Sequence, residues 1–185
     1  MEKLILYDID TNLCNEWKKQ FKDYPNVKIV NCDFKKLRAN YVVTAGNSYA
    51  WMTGGIDLAV REYYGQEIQD TLQSIILALP GRYLPVGQSI CIETKDKLKP
   101  YLIYAPTMPL PVKIDGLEVF YVFAKLLKIY RFQSIACCGL GTSTGGISIE
   151  ECAKQMRLAY EYVLKEEKEN EEKGEWSYRF IIWSN

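Results

Sequence analysis

Val43-Thr44-Ala45-Gly46-Asn47-Ser48, running on to Thr53-Gly54-Gly55-Ile56-Asp57, breaks an apolar strand into a small polar loop and then opens a helix on a glycine pair. A strand that ends this way aims backbone N–H groups at an anion such as phosphate, with an amide and a carboxylate beside them for a sugar. A Gly-Gly pair between strand and helix is also an ordinary tight turn, so this passage alone leaves both readings open. A second passage of the same kind weighs against the plain turn. Ser134 to Cys138 reads as a buried strand, Gly139-Leu140-Gly141-Thr142-Ser143-Thr144-Gly145-Gly146 as a glycine loop, and the residues from Ile149 as a periodic helix. Two such junctions in one small domain can clamp a diphosphate from both sides.

Working outward, Leu4 to Tyr7 reads as a strand and Asn12 to Phe21 as the helix after it. Val27 to Val30 is a second strand ending at Cys32-Asp33, and Tyr41 to Ala45 is a nearly continuous apolar strand, as expected of one buried on both faces. Helices are predicted from Ile56, over Gln66 to Leu79, over Asp115 to Tyr130 and from Ile149, the last with Ser148 and Glu151 spaced as a capping box. Strands are predicted over Ser89 to Ile92 and over Tyr101 to Ala105, the latter ending at Pro106. Lys165 to Lys173 reads as a solvated helix end and loop, and Arg179 to Trp183 as a final strand. Alternating strands and helices imply an α/β fold, a three-layer α/β/α sandwich with a mixed, mostly parallel sheet. Ligands of such sheets bind outside the carboxyl ends of strands, where Asp33, Asn47, Pro106 and Gly139 fall.

With 185 residues, of which 48% are hydrophobic and 25% charged, the chain is read as a single domain over 1–185. Lys plus Arg and Asp plus Glu balance at 23 each, so no global field attracts a nucleic-acid backbone or an anionic membrane, and nucleic acid is not an expected partner. No signal segment or membrane-length apolar run is found, so the protein is expected to be soluble and cytoplasmic. The six cysteines lack C-x-x-C spacing and are read as buried, reduced thiols, with no metal site and no cofactor expected. Histidine is absent, which excludes Ser-His and Cys-His nucleophiles. Catalysis would have to run on carboxylates, amides, hydroxyls, backbone or the substrate itself.

Cys32-Asp33-Phe34, Thr44-Ala45-Gly46-Asn47, Thr53-Gly54-Gly55-Ile56-Asp57 and Gly139 to Gly146 together, in this order, resemble the macrodomain, the ADP-ribose-binding module. Asn47 and Asp57 stand ten positions apart, as in the deacylating and de-ADP-ribosylating branch of that family. Tyr7-Asp8-Ile9-Asp10-Thr11-Asn12, Ala105-Pro106-Thr107-Met108 and Gly139-Leu140-Gly141-Thr142 are similar to small bacterial and phage macrodomains. Thr44 stands where the family has the first asparagine of its N-A-A-N motif, Gly46 makes a conservative replacement of the second alanine, and Met52-Thr53 shorten the glycine run.

The resemblance implies a ligand site made of Asp33, Phe34, Ala45, Gly46, Asn47, Gly54, Gly55, Ile56, Asp57, Gly141, Thr142, Ser143, Thr144, Gly145 and Gly146. Asp33 would accept from the adenine exocyclic amine, or else be a strand-end turn residue. Asn47 would bind hydroxyls of the distal ribose, or cap its own loop. Asp57 would activate a water near the anomeric carbon, or complement the helix dipole. Asn47 and Asp57 are thus the catalytic candidates. Gly54, Gly55 and Ile56 would give N–H groups to one face of the diphosphate and 141–146 would wrap the other, with no Lys or Arg in either loop. Tyr49 and Trp51 are read as packing residues or as a wall against the distal ribose, and Trp183 as core or as an adenine stack. The ligand implied is ADP-ribose or a related NAD-derived nucleotide, free or carried on an ADP-ribosylated protein.

Three functions follow. One is hydrolysis of ADP-ribosyl esters or of ADP-ribose 1″-phosphate. Another is a non-catalytic binding or sequestering module, for example a phage protein interfering with NAD-derived signalling. The last is an α/β domain with vestigial loops acting through protein contacts.

Overall fold

Among the described residues, five of the six strands run parallel, and their carboxyl ends open on one edge of the sheet. The protein is described by a computed structural model over residues 3–131 and 133–173. Its elements are β1 (Leu4–Asp8), α1 (Thr11–Gln20), β2 (Val27–Asn31), a short 3-10 turn (Phe34–Lys36), β3 (Tyr41–Asn47), α2 (Gly55–Tyr64), α3 (Gln66–Ala78), β4 (Ile90–Glu93), β5 (Tyr101–Met108), α4 (Gly116–Ile129), β6 (Ile135–Cys137) and α5 (Ile149–Lys173). The sheet order is β2-β1-β6-β3-β5-β4, with only β4 antiparallel to its neighbour. α1, α4 and α5 pack together on one face, and α2 with α3 covers the other, giving the three-layer sandwich.

The central strands are apolar because helices cover both their faces. All but the first residue of β5 are buried, and Val42, Val43 and Thr44 of β3 are sealed from solvent. Helix starts are set by short polar side chains. The Asp10 carboxylate accepts from Asn12 N and Leu13 N to start α1, and Asp115 with Glu118 forms a reciprocal capping box on α4. The six cysteines are unpaired, four of them buried.

Three boundaries differ from expectation for identifiable reasons. β5 runs through Pro106 to Met108, because β4 begins at Ile90 opposite Tyr104 and a proline is tolerated where that side of the strand is unpaired. α5 continues through Lys165 to Lys173, held by the Lys165–Glu169 i,i+4 pair and by Lys128 of α4 reaching Glu166. Only half of the expected capping box forms at its start: Glu151 N donates to Ser148 Oγ, while the Glu151 carboxylate accepts from Gln155 instead. The expected strand Arg179 to Trp183 lies outside the described residues. Among the described residues, no helix is long and apolar enough to cross a membrane.

Candidate functional site

Where β1, β2, β3, β5 and β6 end, the chain leaves a cavity of about 630 Å³, well within the usual size of a small-molecule site. Its wall includes Asp8, Asp33, Phe34, Asn47, the Thr53–Asp57 passage, Met108 and the loop after β6. No lysine or arginine stands among these lining residues. Among the described residues, an anion here would meet backbone N–H groups rather than cationic side chains.

The loop after β3 is shaped by side chains. Asn47 is 4% exposed; its Oδ1 accepts from Tyr49 N (3.1 Å) and Trp51 N (3.3 Å), and its Nδ2 donates to Trp51 O (3.0 Å). These bonds hold Ala50 at φ 53°, a left-handed conformation a non-glycine residue adopts only under such constraint. From outside, Gln69 accepts from Met52 N and Gln73 donates to Ala50 O. Tyr49 and Trp51 stack with ring centroids 5.2 Å apart, both partly exposed, and Trp51 borders the cavity. α2 then begins at Gly54 with no side-chain cap, so its first N–H groups have no partner within the helix.

Behind this helix start lies a buried polar cluster. Thr44 Oγ1 donates to Asp57 Oδ1 at 2.6 Å, while Tyr104 accepts from Asn47 N (3.1 Å) and donates to Asn47 O (2.7 Å). The Tyr104 hydroxyl also lies against the Asp57 carboxylate, but its single proton goes to the Asn47 carbonyl, and Asp57 Oδ2 is left without a partner. Asp57 is 2% exposed, and burial raises its pKa to about 7 against the pull of the Thr44 bond and of the neighbouring Tyr104 hydroxyl. Gly46 is what makes room for this arrangement. A Cβ there would sit 2.1 Å from Asp57 Oδ2 and 2.2 Å from the Tyr104 hydroxyl oxygen, so the change from alanine, expected to be conservative, is sterically required.

The loop after β6 is shaped mainly by its own backbone. Ile147 N donates to Gly141 O, Gly146 N to Ser143 O, and Ile114 N reaches across to Gly145 O. Side chains enter this frame at its start: Asp8 Oδ2 accepts from Gly139 N at 3.2 Å, and Cys137 Sγ donates to Cys138 O at 3.4 Å. The two loops face each other closely. A Cβ on Gly55, whose φ is +56°, would lie 3.2 Å from Ser143 Oγ.

At another part of the wall, Asp33 caps the 3-10 turn by accepting from Lys35 N at 2.8 Å, and Phe34 packs edge-on against Tyr63 and Tyr64. Lys99, 1% exposed, fixes this turn to α2: its ammonium donates to Leu37 O and the Tyr63 hydroxyl, pairs with Asp96 at 3.2 Å and lies over the Tyr63 ring.

The cavity thus brings together Asp33, Phe34, Ala45, Gly46, Asn47, Gly54, Gly55, Ile56, Asp57, Gly141, Thr142, Ser143, Thr144 and Gly145. Gly146 is the exception: it turns out of the wall toward Lys113. Trp183, Ser184 and Asn185 lie outside the described residues. Sequence reasoning missed Asp8 and Tyr104. Asp8 carried a signal as a strand-end aspartate in Tyr7-Asp8-Ile9-Asp10; Tyr104 carried none, since a tyrosine inside an apolar strand reads as core.

The family model for the Macro domain matches residues 43–156, well over half of the chain and both glycine loops. An uncharacterised protein of Aeropyrum pernix is 26% identical over 154 residues, 81% of this chain and 73% of its own length. Among solved structures, the macrodomain of Mycobacterium tuberculosis DarG superposes with a TM-score of 0.61 at 18% identity, over 71% of this chain and 88% of that one. The Oceanobacillus iheyensis macrodomain with ADP superposes with a TM-score of 0.58 at 18% identity, over 77% and 90%. The chain belongs to the Macro domain family.

Proposed function

We propose that the cavity binds ADP-ribose or a closely related NAD-derived nucleotide. The observation that carries this reading is the opposition of two glycine loops across one cavity, with the uncapped start of α2 in its wall. In it, Gly54, Gly55 and Ile56 offer N–H groups to one side of the diphosphate and the 141–145 loop encloses the other. Asp33 accepts from the adenine amine, and the remaining Asn47 N–H reaches a ribose hydroxyl. ADP-ribose carried on a modified protein fits the same reading. Solved macrodomains with ADP and with ADP-ribose support it by likeness of fold.

Asp57 bears on turnover. A general base needs an oxygen within reach of water, yet Oδ2 is enclosed beside Gly46 and Tyr104 and Oδ1 is bonded to Thr44. This favours holding the ligand over hydrolysing it. The experiment is thermal unfolding with ADP-ribose: at a hundredfold excess over Kd the native state gains about 2.7 kcal/mol, and Asp33→Ala should lose most of that gain. An unchanged Tm at millimolar ligand would defeat the binding reading. Release of ADP-ribose from a mono-ADP-ribosylated protein, abolished by Asp57→Ala with binding intact, would restore the hydrolytic one.

A further inference from the structure

We propose that the cavity takes up a proton on Asp57 together with its anionic diphosphate ligand, so that affinity is set by pH in the neutral range. This rests on the ADP-ribose reading above and adds a regulation to that site.

The geometry carries it in three steps. First, Asp57 is the third residue of α2, in the same turn whose uncapped N–H groups border the cavity. An ionised carboxylate there competes with a bound diphosphate for the same helix-end field and repels it. Second, among the described residues no lysine or arginine lines the cavity to offset the added charge. Third, the cluster around Asp57 is short of one proton. Tyr104 uses its hydrogen on Asn47 O and accepts from Asn47 N, which leaves one lone pair on its oxygen facing an unpartnered Oδ2. A proton on Oδ2 removes the uncompensated charge from this buried, unpartnered oxygen. The proton comes from solvent, the carboxylate becomes a neutral acid, and no bond of the ligand changes. Burial already raises the Asp57 pKa to about 7, and a bound dianion raises it further.

The groups around Asp57 leave it as the titrating centre. Thr44 on β3 and Tyr104 on β5 face it, and Arg61, one turn along α2, is turned to Gln69 Oε1. Asp8, Asp10 and Asp33 line other parts of the cavity, and Lys113 lies against Gly146 outside its wall.

Calorimetric titration of the whole protein with ADP-ribose, in phosphate and in Tris at pH 7, counts the protons. If binding raises the pKa by one unit, uptake is about 0.4 proton per ligand, and affinity is about sevenfold higher at pH 6 than at pH 8.5. Asp57→Asn keeps the Thr44 bond and should make affinity independent of pH. Thr44→Val removes a bond that favours the ionised form and should move the midpoint of the profile to higher pH, which a purely structural role would not do. Equal heats in the two buffers with a flat affinity profile would overturn the coupling while leaving the binding reading intact. A pH dependence that survives in Asp57→Asn would overturn it as well, and absence of binding at every pH would remove both.

Discussion

The two glycine loops face each other across one cavity but are held by different means. The loop after β3 depends on side chains from β3, β5 and α3: Asn47, Tyr104, Gln69 and Gln73 each bond its backbone. The loop after β6 depends mainly on bonds between its own peptide groups and to Ile114 N, with the Asp8 and Cys137 side chains bonding its backbone only at its start, at Gly139 N and Cys138 O. The first wall can therefore be retuned or broken by single substitutions, and it alone contains a buried carboxyl whose charge changes near neutrality. The second should be the more tolerant of side-chain change.

Asp57 should produce the largest effect. Folded, its carboxyl keeps a proton up to about pH 7; unfolded, it loses it near 3.8, the ordinary aspartate value. Between those values the native state binds more protons, so this contribution is fully present below the unfolded pKa and is lost as pH rises through the folded one. At about 1.4 kcal/mol per pH unit, the loss across the window is on the order of 4 kcal/mol. Asp57→Asn has no such titration, so its stability relative to the parent should rise by that order between pH 4 and pH 8 in urea denaturation. A constant difference between the two proteins would show that the buried carboxyl does not distinguish the walls.

Gly46→Ala comes next. The added methyl overlaps Asp57 Oδ2 and the Tyr104 hydroxyl, neither of which is the free end of a flexible chain, and overpacking of this kind costs about 3 kcal/mol. The expected result is a lower denaturation midpoint with weakened ligand binding. Asp8→Ala is the matching test of the second wall and should cost only about 1 kcal/mol, because the loop keeps its backbone bonds when Gly139 N loses its acceptor. A loss as large as that of Gly46→Ala would break the contrast between the loops.

The element order was legible because strand and helix periods alternate cleanly, and all but one of the named site residues stand together because strand exits of a parallel sheet share an edge. The misses were contacts between distant segments. α5 extends past Lys165 through ion pairs, one of which comes from α4. Asn47 was readable both ways from its residue type, and most of its amide is bonded to its own loop, with one N–H left over. Thr44 counted in the sequence as a lost amide, yet it is the hydroxyl that holds Asp57.

By itself, the sequence determined an α/β sandwich, two glycine loops and a nucleotide-sized set of polar residues, since local periodicity and turn chemistry are properties of neighbouring residues. Only the tertiary structure decided what Gly46 and Tyr104 are for. A glycine on β3, a tyrosine on β5 and an aspartate on α2 are unrelated along the chain. Their meaning lies in a few ångströms of shared buried space, where one missing methyl lets a carboxyl lie out of water and one hydroxyl proton is already committed elsewhere.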